Sequence, residues 1–187
     1  ASVGMVFWNQ RMNLLTGESK YIDVLERSLY NGALDGLSLS GDRFFYGNPL
    51  ASRGQHFRRE WFGTACCPAN IARLVASLGN YVYGRSDKGI WVNLYVGSTT
   101  NVKIGKNEVP VEMTTNYPWD GKVKIAFNPK AKTKFALHLR IPGWHSGETV
   151  PGDLYKFVDT KPSTYTITVN GKAETAVLKN GYAVIER

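Results

Sequence analysis

Both cysteines of this chain stand side by side, Cys66 and Cys67, within FGTACCPANIARL (62–74). Proline is favoured at the first helical position, where its missing N–H would go unsatisfied anyway. The spacing therefore predicts a helix opening at Pro68, with Cys67 near its N-cap and Cys66 just outside. Free backbone amides and the helix dipole favour an anion there. A thiol so placed ionises below its free value of roughly 8.5. Thiolates are good nucleophiles and good zinc ligands, so the pair can attack, hold a metal, or do both. Other readings stand beside these: a small buried apolar pair, a strained vicinal disulfide, or a reversible redox dithiol. The three histidines do not complete a metal site by spacing. His56 lies in an arginine-rich loop and reads as solvated, while His138 in ALHLRI reads as an ordinary strand residue and His145 also falls in the second half.

The elements that must position this pair divide into two regions. Residues 1–84 read as helical. From Ser2 to Leu15 apolar residues fall at 3, 6, 7 and 14 and again at 5, 8, 12 and 15, a pattern apolar nearly all round that suits a helix inside a larger assembly. TGES (16–19) breaks it. A second helix carries the stripe Ile22, Leu25, Leu29 and Ala33, with Asp23, Glu26 and Arg27 off it. Leu37 to Pro49 reads as a short strand or hairpin ending in a turn. The third helix places Ile71, Leu74, Val75 and Leu78 on one face, and Gly79-Asn80 marks its end.

After Arg85 the period drops to two. IWVNLYV (90–96), VPVEM (109–113), KVKIAF (122–127), FALHLRI (135–141), YTITV (165–169) and YAVIE (182–186) predict about six strands, and Asn170-Gly171 is a strong hairpin signal. Such spacing predicts an antiparallel β-sandwich over 85–187.

Composition excludes several classes. The 187 residues carry a net charge of +8, of which only +2 falls before Arg85. The lysines at 122, 124, 130, 132 and 134 alternate with apolar residues or sit in turns, which fits solvated strand faces and edge protection better than nucleic-acid binding. No uninterrupted apolar run of about 18 residues is present, so no membrane span is predicted. The opening ASVGMVFWNQRM lacks the order of a signal peptide and reads as the middle of a helix, so the chain is expected to be a piece of something longer. Redox compartment and localisation are not legible.

The order RMNLLTGE, YIDVLERSLYNGAL, FFYGNPL, ACCPANIAR, GIWVNLYVGS, LHLRIPGW and TVNGK strongly resembles glycoside hydrolase family 127, the β-L-arabinofuranosidases. The resemblance spans essentially the whole chain, and CCP-x-N-x-x-R after Y-x-NPL is its specific part. It implies an α+β organisation: residues 1–84 as the last helices of an (α/α)6 catalytic barrel, followed by the sandwich. It also implies retaining hydrolysis of terminal β-L-arabinofuranosides with a cysteine nucleophile and a zinc ion. By motif Cys66 matches the nucleophile and a zinc ligand, Cys67 matches a neighbouring zinc ligand, and Tyr46 matches a tyrosine lining the sugar pocket.

The family's remaining ligands come from a Glu-x-Cys-Ala segment, and its acid/base is a glutamate slightly upstream. ASVGM resembles the residues just after that cysteine, so all three groups are expected before Ala1, in a missing N-terminal part of the same protein. Glu18, Glu26 and Glu60 match none of them and read as surface charges. On this reading the isolated chain is inactive, with weak zinc affinity at most. The alternative is a non-catalytic carbohydrate-associated module in which Trp91, Trp119 or Trp144 stacks on sugar faces, although core packing is the reading favoured for all three.

Overall fold

The computed structural model describes residues 1–150, 153–159 and 163–187. Helices come first: α1 (Ser2–Thr16), α2 (Lys20–Gly32), α3 (Cys66–Ser77) and the single turn α4 (Gly79–Val82). The stripe read for α2 is the one buried, since Ile22, Leu25, Leu29 and Ala33 join Val6 of α1 and Leu74 of α3 in one apolar cluster. Of the stripe read for α3, Leu74 is buried while Val75 is exposed. Gly79-Asn80 does not end the helical region; α3 closes at Ser77 and the chain takes one further turn. The segment read as a short strand or hairpin at 37–49 is an irregular loop that carries the isolated bridges Leu37↔Phe44 and Phe44↔Arg59.

Among the described residues ten strands follow: β1 (Tyr83–Arg85), β2 (Gly89–Val92), β3 (Ser98–Ile104), β4 (Asn107–Thr115), β5 (Val123–Phe127), β6 (Ala136–Arg140), β7 (Ile167–Val169), β8 (Lys172–Glu174), β9 (Val177–Lys179) and β10 (Tyr182–Glu186). They form a five-stranded sheet in the order β1-β2-β6-β10-β9, a three-stranded sheet β3-β4-β5 and the ribbon β7-β8. The pairing is not antiparallel throughout. β2 and β6 run parallel, with Trp91 opposite His138. The connection between them contains the whole three-stranded sheet, which is long enough for a crossover.

The two larger sheets meet through side chains. Ile90 of β2 packs with Val102, Ile104, Val109 and Val111, flanked by Leu137 and Ile125. Along β4 the pattern of period two is clean, with Val109, Val111 and Met113 buried and Glu108 and Glu112 exposed. β5 is an edge strand, and the five lysines around it are all exposed. Asn170-Gly171 makes the expected hairpin turn between Val169 and Lys172, both residues at positive φ. Asn180-Gly181 does the same between Lys179 and Tyr182. That second turn docks on α2: the Ser19 amide donates to Asn180 O at 2.9 Å, and a Cβ on Gly181 would meet Ser19 Oγ at 1.8 Å. No helix among the described residues is long and apolar enough to cross a membrane.

Helices and sheet are joined by buried polar groups. Arg140 of β6 is wholly buried. Its guanidinium donates to Asp23 Oδ1, to Glu26 Oε1 and to the carbonyl of Asn93, each at 2.6 Å. Glu26 is therefore no surface charge: it lies off the apolar stripe because it faces the sheet, where Arg140 neutralises it. Burial opposes the charge of Arg140, but Glu26 and Asp23 outweigh that and hold it above its usual range. A second junction links α1 to β10. Asn13 donates to the Tyr182 hydroxyl at 2.9 Å, and that hydroxyl donates to Asn93 Oδ1 at 2.8 Å. Burial pushes the Tyr182 phenol up to about 12, so it stays a donor. Among the described residues no buried side-chain polar atom lacks a partner.

The tryptophans separate. Trp91 is half-buried and stacks on His138 with ring centroids 4.0 Å apart, outside the apolar clusters. Trp119 and Trp144 do not enter the core, being 92% and 49% exposed. Both sit on connecting segments, Trp119 between β4 and β5 and Trp144 in the turn after β6.

Two outcomes follow from this packing. Arg140→Ala strands two carboxylates without their cation and should cost about 3–5 kcal/mol, read by urea unfolding; a loss below about 1 kcal/mol would show the junction to be dispensable. His138 is lowered by burial and by Lys179, with Glu186 opposing. Its contribution is thus complete above the ordinary histidine value of about 6.5 and is lost as pH falls through the depressed folded value. His138→Phe keeps a ring on Trp91 and should shrink the drop in Tm between neutral and mildly acidic pH. An unchanged drop would remove His138 from the account.

Candidate functional site

α3 opens at Cys66, two residues earlier than the proline rule suggests, with Ala65 as its N-cap and Pro68 third. Proline is tolerated anywhere in the first turn, where no amide needs an intrahelical partner, so it marked the turn and not its first residue. Cys66 and Cys67 are hence the first two helical residues, and neither is fixed by a capping side chain. Asn70 Nδ2 donates back to Cys66 O at 2.7 Å, and Arg73 donates to Asn70 Oδ1 at 2.8 Å. These contacts give a physical role to the asparagine and arginine of CCP-x-N-x-x-R. They hold the helix mouth on which the sulfurs sit.

Tyr46 reaches the sulfurs from the irregular loop. Phe44 is buried and fixes the loop's base through its bridges to Leu37 and Arg59. Arg58 ties the return segment of the loop to the 3-10 turn Leu34–Gly36 that follows α2, donating to the carbonyls of Asp35 at 2.7 Å and Gly36 at 3.2 Å. The Phe62 ring lies 5.8 Å from that of Tyr46 and 5.2 Å from that of Phe44. The outcome is a phenol held over the helix mouth, with Tyr46 Oη 3.6 Å from Cys66 Sγ. Cys66 Sγ is also 3.6 Å from Cys67 Sγ, and both thiols are free, so the vicinal disulfide is not formed.

The electrostatics differ between the two sulfurs. Cys66 is exposed, and its thiol is lowered, chiefly by the Tyr46 hydroxyl, next by the Cys67 thiol, and further by the backbone amides of the helix mouth. Cys67 is raised, first by burial and then by its neighbour's charge. Tyr46 is raised by its bond to Cys66, so it remains the donor. One thiolate under a phenol donor is the state this arrangement favours. The helix end contributes as the spacing suggested, but the tyrosine contributes more, and Phe62, which orients it, was invisible to periodicity. Its signal was the aromatic residue four positions before the cysteines.

A zinc ion fits the donor chemistry in part. Two thiolates on one tetrahedral zinc at bond lengths of about 2.3 Å stand about 3.8 Å apart, close to the 3.6 Å separation here. Among the described residues no group of three or more His, Cys, Asp or Glu side chains gathers to complete such a site. His56 is exposed in its loop. Glu60 pairs with Arg43 at 3.3 Å and Glu18 with Lys20 at 2.5 Å, both at the surface as expected.

Alkylation of the folded chain by iodoacetamide, followed by peptide mass spectrometry, should label Cys66 faster than Cys67 near neutral pH. Tyr46→Phe should slow Cys66 and move the rise of its rate to higher pH. Faster labelling of Cys67, or no effect of Tyr46→Phe, would contradict this assignment of charge.

Comparison with known proteins identifies the family of the chain. Residues 1–80 match the family profile described as beta-L-arabinofuranosidase, GH127 catalytic domain, and residues 89–187 match the GH127 middle domain. A protein of Bifidobacterium longum subsp. longum named non-reducing end beta-L-arabinofuranosidase is 36% identical over 99% of this chain. The chain spans 28% of that relative's length. A solved structure described as a GH127 beta-arabinofuranosidase is 42% identical with a TM-score of 0.94, covering 100% of this chain and 29% of that one. The crystal structure of a GH127 beta-L-arabinofuranosidase from Geobacillus stearothermophilus T6 is 39% identical with a TM-score of 0.82, covering 99% and 28%. With one domain profile matched over its helices and a second over its strands, the chain belongs to glycoside hydrolase family 127.

Proposed function

We propose that the protein carrying this chain is a zinc-dependent, retaining glycoside hydrolase that releases β-L-arabinofuranose, with Cys66 as its nucleophile. The observation that carries this reading is the Tyr46 hydroxyl 3.6 Å from a lowered, exposed thiol at a helix mouth. The names of the similar proteins supply the sugar. In this reading residues 1–84 are the last helices of an (α/α)6 barrel and residues 85–187 a β-sandwich. Its support is the change of period at the junction and the two sheets that share a core.

The chemistry is a double displacement. The Cys66 sulfur forms a bond to the anomeric carbon as the bond to the leaving oxygen breaks. That oxygen takes its proton from a carboxylic acid outside these 187 residues. A water molecule then attacks the same carbon, gives its proton to the carboxylate and releases the thiolate. Two inversions retain the configuration. Tyr46 donates to the sulfur, lines the sugar pocket and keeps the nucleophile aimed. Cys66 and Cys67 would hold the zinc, whose charge keeps both sulfurs deprotonated at neutral pH. The other ligands, like the acid/base, would come from outside this chain.

In the whole protein, Cys66→Ser should lower kcat on an aryl β-L-arabinofuranoside by on the order of 10⁴-fold or more. Tyr46→Phe should lower it about 100-fold, with less effect on KM. Cys67→Ser should lower activity together with bound zinc. The 187-residue chain alone should show no turnover. Robust turnover by the chain alone, or near-normal kcat in Cys66→Ser, would overturn the assignment.

A further inference from the structure

A cleft of about 1040 Å³ lies between α2 and the loops that follow β4 and β6. None of Tyr46, Cys66 or Cys67 lines it. Two indoles do: Trp119, at the tip of a turn closed by its amide donating to Asn116 O at 2.9 Å, and Trp144, on the 3-10 turn Gly143–Ser146. Holding a ring as large as that of Trp119 almost wholly in water forgoes the burial that normally accompanies its folding. Two such rings on one concave wall are the apolar half of a recognition surface.

The polar half carries no excess of positive charge. Arg140 pairs with both Asp23 and Glu26, which leaves that trio one net negative charge, and Lys20 pairs with Glu18. Arg27 and Glu148 remain, one charge of each sign. Glu148 Oε2 and Asp23 Oδ2 converge on Gly143, each within 2.9 Å of where a Cβ would stand, so the absence of a side chain there keeps the carboxylates at the floor. A cleft with one net negative charge offers no electrostatic footprint for phosphate or nucleic acid. Exposed ring faces beside groups that donate and accept suit a molecule apolar on its faces and hydroxylated at its rim. That is a sugar ring.

We propose that this cleft binds a neutral glycan, one ring stacking on Trp119 and its hydroxyls meeting Arg27 and Glu148. The choice of an arabinose polymer as the glycan rests on the function proposed above. The cleft would hold the polymer while a chain end is processed, and its volume admits more than one ring.

The test is native affinity electrophoresis of the whole protein through gels containing soluble arabinan, in a Cys66→Ser background that prevents hydrolysis. The expected result is retardation that Trp119→Ala weakens at least tenfold in apparent Kd and Glu148→Ala several-fold. With Cys66 restored, Trp119→Ala should keep kcat/KM on an aryl β-L-arabinofuranoside within twofold. No retardation of the parent protein, retardation unaffected by Trp119→Ala, or an equal loss on the aryl glycoside would each overturn the proposal. Retardation that depends on Trp119 in a protein unable to hydrolyse the aryl glycoside would instead uphold the cleft and sink the hydrolase reading.

Discussion

A guanidinium with no contact with solvent organises this chain. Arg140 leaves water at considerable cost, and two carboxylates one helical turn apart on α2 offset that cost together with the Asn93 carbonyl. The contacts are directional, so they fix more than distance. They set the rotation of α2 about its axis and its position against β6. The same helix turns its apolar stripe toward α1 and Leu74 of α3. Because α3 begins with the cysteines, the buried charge at one end of the assembly is connected through packed side chains to the sulfurs at the other. The junction also forms the floor of the aromatic cleft, where Asp23 additionally accepts the Gly143 amide at 3.2 Å.

At the helix mouth the balance is local and different in kind. An exposed sulfur beside a phenol and free amides favours the thiolate through hydrogen bonding, and a half-buried sulfur one residue later does not. Neighbours in sequence thus acquire unlike properties because Tyr46 stabilises the charge of Cys66 most, while burial opposes that of Cys67. A metal bridging both would erase that difference by holding each deprotonated. The proposed division between an attacking Cys66 and an anchoring Cys67 would draw on the asymmetry the residues already have.

Much of this was legible in the sequence, and the misreadings share a cause. Stripes of period 3.6 and 2 located α2 and β4 because each buries one apolar face; α3 and β10 were located too, although only Leu74 of the α3 stripe is buried and β10 is buried on both faces. Periodicity failed where polar residues are buried. Glu26 lies off its helix's stripe and was read as solvated, although it faces Arg140 from the far end of the sequence. Asn9 and Asn13, one turn apart in an apolar helix, are buried, and Asn13 bonds to Tyr182. β3, STTNVKI, shows only two buried side chains and gave no run to detect. The parallel pairing of β2 with β6 has no local signature at all. The motif FFYGNPL…ACCP brought Tyr46 and Cys66 together in sequence terms, and space agrees. What no spacing could show is that Trp119 and Trp144 would face water.

The central claim is that the Cys66 sulfur carries the sugar during turnover, and one measurement reaches it directly. The whole protein is mixed with an aryl β-L-arabinofuranoside, quenched in acid within the first turnover, and digested for mass spectrometry. The account predicts a pentosyl group on the peptide containing Cys66, joined through its sulfur and lost on longer incubation before the quench. A pentosyl group on any other side chain, or a first turnover that leaves every peptide unmodified while product is released, would contradict it.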